Sequence, residues 1–277
     1  MFGDLTRVGA NFHAMEAWSN LKKVNGDIGQ IQTRLSTGKR INSAEDDTSG
    51  YALSKQLESR VRGLSQALDN IGTAKNVLNI AEGSFQAQMT ILQRLKEKAT
   101  QAADGALSTA QRGAINDEYT ALLNEIDDIN DTAKFNDFSL FDSTMTFQVG
   151  EDNSNTLAVD FDLSSSASIG EDKTDISAAS LDTAANASSA IGTLDTAIKS
   201  LAKSIQSMGD FNARLSSKEE SVSLAISNTE ATRSRIEDAD FAKEQMSMMK
   251  LQILQQTTVS SFTQANTAPQ VVLSLFR

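Results

Sequence analysis

Four groupings in this 277-residue chain have residue types that could do chemistry, and each has a plainer use beside it. Glu45, Asp46 and Asp47 stand together just after Lys39 and Arg40. Paired carboxylates are the raw material of general acid–base catalysis. Their spacing favours a structural role, because Ser43-Ala44-Glu45-Asp46 has the form of a capping box at the positive end of a following helix. Lys39, Arg40 and Arg235 are the salt-bridge partners to expect there. Asp127, Asp128 and Asp131, and separately Asp160 and Asp162, offer hard oxygen ligands, but without the loop spacing of a calcium site they read as solvated faces. Met246, Met248 and Met249 suggest adaptable packing. His13 is the sole histidine, so neither a Ser-His-Asp triad nor a His-rich metal site can be assembled, and it reads as a packing or interface residue. Cysteine is absent, and so is a glycine-rich phosphate loop. The chain reads as a non-enzyme with no cofactor.

The elements that carry these residues are long and helical. Leu5, Val8, Phe12 and Met15 are spaced three, four, three; after a phase change near Trp18 the pattern resumes at Leu21, Val24, Ile28, Ile31 and Leu35. That is a heptad seam, which needs a partner helix. Gly38 can end the helix in the left-handed conformation. A second run extends from Leu57 through Leu64, Ile71, Leu78, Phe85, Leu92 and Leu95 to Ala99 without a proline. A helix of ~50 residues is ~75 Å long, far beyond the globular mean of ~12 residues. Asp104-Gly105 marks a turn before a third helix with Ile115, Tyr119, Leu122, Ile126 and Ile129 on one face. The period then drops to two in Thr144–Val149 and Leu157–Leu163, a β-hairpin around Gly150–Asn155. Residues 164–190 read as a mostly exposed loop, and helical spacing returns from Ile191. A closing seam runs through Ala239, Ala242, Met246, Met249 and Ile253, and Pro269 closes the helical region. The order of element types is a palindrome, so the expected fold is mainly α: an antiparallel long-helix hairpin rod, coiled-coil-like, with a small β-hairpin.

The net charge of −11 argues against nucleic acid or an anionic membrane as partner. No apolar window approaches the ~20 residues that span a bilayer, and no signal peptide opens the chain.

Leu35 to Gly50, containing Arg40-Ile41-Asn42-Ser43-Ala44 and Asp46-Asp47, closely resembles the N-terminal signature of bacterial flagellins. Ser234-Arg235-Ile236-Glu237-Asp238-Ala239-Asp240-Phe241-Ala242 looks like their C-terminal signature, and the tail from Gln264 resembles their end. Two departures stand out: the opening lacks the usual Ile-Asn-Thr-Asn run, and Asp137 replaces the common Gly after Phe135-Asn136.

The resemblance implies the remainder. Residues 1–40 and 238–277 would form the two halves of an inner-tube helical domain. Residues 41–180, with the hairpin and a short loop, and the returning helix 181–237 would form the outer core. Such a subunit polymerises into a secreted, extracellular filament for motility, with an export chaperone and cap or junction proteins as partners. Arg40, Asn42, Asp46, Asp47, Arg235, Glu237 and Asp238 would make the joint between the layers. Leu21, Val24, Ile28, Ile31, Leu35, Met246, Met249 and Ile253 would make the assembly seam. Arg94 and Glu118 match the contact pattern of the vertebrate Toll-like receptor that senses flagellins, while Lys98 replaces its expected Leu, which implies weakened recognition. A cell-surface adhesin or polysaccharide binder of the family, and the hook–filament junction protein, are the alternatives.

Overall fold

The computed structural model describes residues 11–141, 143–161, 164–170 and 172–274. The elements run α1 (Phe12–Thr37), α2 (Thr48–Ala102), α3 (Thr109–Thr132), β1 (Lys134–Phe135), β2 (Phe138–Ser139), β3 (Ser143–Gln148), β4 (Thr156–Phe161), β5 (Ser164–Ser165), β6 (Ser168–Ile169), α4 (Ala184–Glu237) and α5 (Phe241–Ser274). The chain divides into two compact units, one of residues 60–227 and one of residues 1–59 with 228–277. The first turns of α2 and the last of α4 thus fall in the same unit as the terminal helices.

In the unit of residues 60–227, α2 and α4 run antiparallel. Lys75 pairs with Glu219, and Lys96 pairs with Asp195 at 2.5 Å, so ascending one helix descends the other. The third helix also opposes α2, since Lys98 meets Glu118 at 2.7 Å and the Gln88 side chain donates to the Ile126 carbonyl at 3.4 Å. A capping box at Ser108 and Gln111 starts α3. The core is built from the apolar period of α2, with Ile71, Leu78, Phe85, Leu92 and Leu95 fully buried against Tyr119, Ile126, Leu194 and Leu201. Phe85 and Phe141 lie with ring centroids 4.9 Å apart.

The hairpin β3–β4 forms in the register Thr144↔Asp160 to Gln148↔Thr156. Leu157, Val159 and Phe161 are buried while Thr156, Ala158 and Asp160 are exposed, the alternation that a half-covered strand requires. Leu163 and Asp162, assigned to this hairpin from the sequence, lie outside the described residues. Before it, β1 and β2 make a two-residue hairpin whose tip residues, Asn136 and Asp137, have φ of 49° and 66°.

Three expectations are corrected here. Residues 164–190 are not an exposed loop: Ile169, Ile176 and Leu181 are fully buried, and the hairpin β5–β6 lies within the stretch. Asp127, read as part of a solvated face, organises it by accepting from the Ser166 amide at 2.6 Å and the Ser166 hydroxyl at 2.8 Å. A few well-spaced apolar residues and one carboxylate suffice where composition alone looks like loop. Pro269 does not close the helical region, because α5 continues to Ser274.

Candidate functional site

The terminal unit holds every joint residue expected from the sequence. Helix α1 ends at Gly38 with φ of 70°, the left-handed cap. The chain then crosses the end of α4 as a short strap, with Lys39 and Asp238 forming an isolated antiparallel bridge. The Glu237 carbonyl accepts from the Arg40 amide at 2.6 Å and the Ile41 amide at 3.3 Å, and the Ala239 amide donates to the Gly38 carbonyl at 2.9 Å. Arg40 adds a side-chain bond, Nη2 to the Ile236 carbonyl at 2.6 Å. At about 1 kcal/mol net for a typical hydrogen bond, such a set clamps two connections that are about 200 residues apart in sequence.

Glu237 is the hub of this strap. Its side chain is nearly all buried and takes Lys39 Nζ at 2.5 Å and Arg233 Nη1 at 3.2 Å. Arg233 also grips Glu230 at 2.5 Å, and this bond holds the Glu230 carboxyl below, and the Arg233 guanidinium above, their ordinary values. Arg235, expected from the sequence with Lys39 and Arg40 as a partner of the Glu45–Asp47 cluster, does not share this face with Arg233. It is exposed on the other side of the helix, since residues two apart do not share a face.

The acidic cluster caps rather than pairs. Asp46 accepts from the Asn42 and Ser43 amides at 3.0 Å each, and from Gln30 Nε2 at 2.8 Å. The Gln30 bond, then the two amides, lower its pKa from 3.8 to about 2. Asn42 Nδ2 closes the turn onto the Lys39 carbonyl at 2.9 Å. The N-terminal cap of α2 is Asp47, whose Oδ1 takes the Ser49 and Gly50 amides at 3.1 and 2.9 Å. The expected capping box at Ser43–Asp46 is thus a separate turn ahead of the helix. Gly50 leaves room for this cap: a Cβ there would lie 2.5 Å from Asp47 Oδ2 and 2.7 Å from the Ile41 side chain, so the capping carboxylate or Ile41 would have to shift.

Helices α1 and α5 pair antiparallel, as Asn11 Nδ2 to the Ala265 carbonyl at 2.7 Å, Gln255 to Asn25 at 2.7 Å and Arg34 to Glu244 at 3.7 Å show. On α1 the inward face is Ala14, Ala17, Leu21, Val24, Ile28, Ile31 and Leu35. The seam proposed from the sequence is therefore seated within the chain, and the phase change near Trp18 disappears. Phe12 and Met15 belong to a different face and are 55% and 65% exposed, while Trp18, 57% exposed, stands at the edge of the seam. Leu5 and Val8 lie outside the described residues. His13 is exposed too.

The closing stripe, placed in the assembly seam from the sequence, is not the face that α5 turns to α1. The face of α5 turned to α1 holds Glu244, Met248, Leu251, Gln255, Thr258, Phe262 and Ala265, with Phe262 against Trp18 at a 5.8 Å centroid distance. Met246, Met249 and Ile253 point outward and are 61%, 55% and 65% exposed. Spacing of three and four fits both faces of α5, so the sequence could not choose between them. Asn11 was missed, although it does two jobs: its Oδ1 caps Ala14 at 3.1 Å while its Nδ2 takes the Ala265 carbonyl. That carbonyl lies four residues before Pro269, which has no N–H to give it.

Arg94 and Glu118 are exposed in the other unit, and Glu118 is held by Lys98. Among the described residues no group of three or more His, Cys, Asp or Glu is placed to hold a metal, and no helix is long and apolar enough to cross a membrane.

Comparison with known proteins gives one answer at both ends of the chain. Residues 8–146 match the family model of the bacterial flagellin N-terminal helical region, and residues 191–276 that of the C-terminal helical region. The flagellar filament 33 kDa core protein of Treponema phagedenis is 34% identical over 96% of this chain and 98% of its own length. Flagellin FlaB1 of Treponema pallidum (33%) and a flagellin of Halalkalibacterium halodurans (34%) are covered to the same extent. With both terminal helical regions matched and relatives of near-identical length, the chain belongs to the bacterial flagellin family.

Proposed function

We propose that this chain is a structural subunit that polymerises helically with copies of itself into the flagellar filament, and does so through the outward apolar face of its terminal helices. The observation that carries this is the stripe of Met246, Met249 and Ile253, more than half exposed although α5 already has its other face on α1. Monomeric proteins rarely leave such a contiguous patch uncovered. The strap around Glu237 would hold the end of α1 against the end of α4 within the terminal unit, a structural use for the joint residues. Export to an extracellular filament, with a chaperone on the unassembled subunit and cap or junction proteins at the ends, completes the reading.

Seeded growth followed by electron microscopy tests it. Purified chain should extend filament seeds into long helical polymers. Met246→Glu with Ile253→Glu should stop extension while the helical circular dichroism is kept; normal filaments from that variant would overturn the assignment of the stripe. Shearing filaments from cells separates the alternatives, since a junction protein would be a trace band and an adhesin would stay on the cell.

One observation favours a further property. Lys98 engages Glu118 at 2.7 Å, so that carboxylate already has a cationic partner where the innate receptor would meet it. Receptor reporter cells should respond weakly to the monomer, and Lys98→Leu should raise the response; full activation by the unaltered chain would refute this.

A further inference from the structure

Of the chain's eight methionines, the seven within the described residues fall into two classes by exposure. Met208 is buried in the core, and Met89 and Met145 are packed against it. In the terminal unit, Met15, Met246 and Met249 are 65%, 61% and 55% exposed, while Met248 is 8% exposed against α1. Met246 and Met249 are three residues apart on one face of α5, and Met248 lies between them in sequence but on the opposite side. All three exposed thioethers have apolar neighbours at helical spacing: Met15 has Phe12 and Trp18, and Met246 and Met249 have each other and Ile253.

We propose that Met15, Met246 and Met249 are a redox modification site: in the unassembled subunit a hydroperoxide oxidises them to sulfoxides, and the oxidised chain no longer enters a filament. The sulfur lone pair attacks one peroxide oxygen, the S–O bond forms as the O–O bond breaks, and the departing hydroxide takes a proton to leave water. The thioether loses two electrons and the peroxide gains them. A methionine sulfoxide reductase with a dithiol reverses the step, giving thioether, disulfide and water. The change matters because it turns a flexible apolar side chain into a polar one on the face that would meet the next subunit. Once that face is covered the sulfurs are out of reach, so oxidation and assembly compete for the same surface. The consequence for assembly rests on the filament reading above; the selectivity of oxidation does not.

The chain carries its own control. Cleavage after Lys243 and Lys250 puts Met246, Met248 and Met249 in one peptide, so fragment-ion mass spectrometry compares them under identical exposure. Treating the depolymerised full chain with dilute hydrogen peroxide should oxidise Met15, Met246 and Met249 at least fivefold faster than Met248 and Met208, and the difference should vanish in urea. Oxidised chain should extend seeds at least tenfold more slowly than untreated chain, and reductase with dithiothreitol should restore the rate. A Met15→Leu, Met246→Leu, Met249→Leu variant, compared with and without peroxide, should show no such ratio. Equal oxidation of all methionines in the native chain, or unimpaired extension by chain bearing the three sulfoxides, would overturn the proposal. Failure of untreated chain to extend seeds would fall on the filament reading, and the site-by-site oxidation rates would still decide the modification site.

Discussion

At the scale of single residues, the strap gives the sharpest pH expectation. Asp46 has a folded-state pKa of about 2 against 3.8, so its contribution is complete above about pH 4 and is lost as pH falls through about 2. Solvent screening limits that contribution to roughly 1 kcal/mol. Unfolding followed from pH 5 to 1.5 should therefore show the gap between wild type and Asp46→Asn closing toward the acid end; a constant gap would mean that the carboxylate does not carry the turn. Asp137 offers the opposite sign. Its φ of 66° is the left-handed region, where a glycine has no Cβ to strain. Asp137→Gly, which restores the common family residue, should raise unfolding stability by up to about 1 kcal/mol. Tyr119 is fully buried, its pKa pushed up to about 12 by that burial, and its hydroxyl has no protein partner. Tyr119→Phe should cost nothing and could add ~1 kcal/mol in thermal denaturation. The sequence announced Gly38 and the capping role of the acidic cluster because turn and cap chemistry is local. It did not announce Arg233 as a partner of Glu237, since which cations reach that carboxylate depends on where α4 ends and how the strap crosses it.

At the scale of elements, the long helices were legible because their burial has one dominant period. Ile71, Leu78, Phe85 and Leu92 on α2 repeat every seven residues, and all are fully buried. The same rule failed on α5, where apolar residues surround much of the helix and two stripes have the same spacing. It also failed on residues 164–190, where Ile169, Ile176 and Leu181 are too far apart to show a period and depend on Asp127 and Ser166 to be turned inward. The two helix systems differ in how much they bury. Among described residues α1 buries only Ala14 and Ile31, each still 8% exposed, against an almost unbroken row on α2. Local opening follows buried contact, so amide exchange at 12–37 and 241–267 in the monomer should outpace that at 71–99 by roughly a hundredfold or more. Equal protection would mean that the seam between α1 and α5 is stronger than its burial suggests.

At the scale of the whole molecule, the family features lie at the two ends of the sequence and meet in one unit. Charge, the absence of cysteine and the single histidine directed attention away from catalysis and toward association. What the sequence did not disclose is which apolar residues the chain keeps for itself. Leu21, Val24, Ile28, Ile31 and Leu35 are seated within the subunit, whereas Met246, Met249 and Ile253 remain outward.

The terminal unit is discontinuous, and this imposes an order in time. Asn11 and the carbonyl it holds are separated by 254 positions. Synthesis at ~5–20 residues per second leaves α1 outside the ribosome for roughly 13–50 s before α5 exists to receive it. Translation, not the closing of the helix pair, sets that delay, since closing even a long loop costs only a slowly growing entropy. During the interval the inward face of α1 is as uncovered as the outward face of α5 is later. A chain cut short before residue 240 leaves Leu21, Ile28 and Ile31 without their mate for good, so premature termination yields a sticky product rather than a harmless fragment.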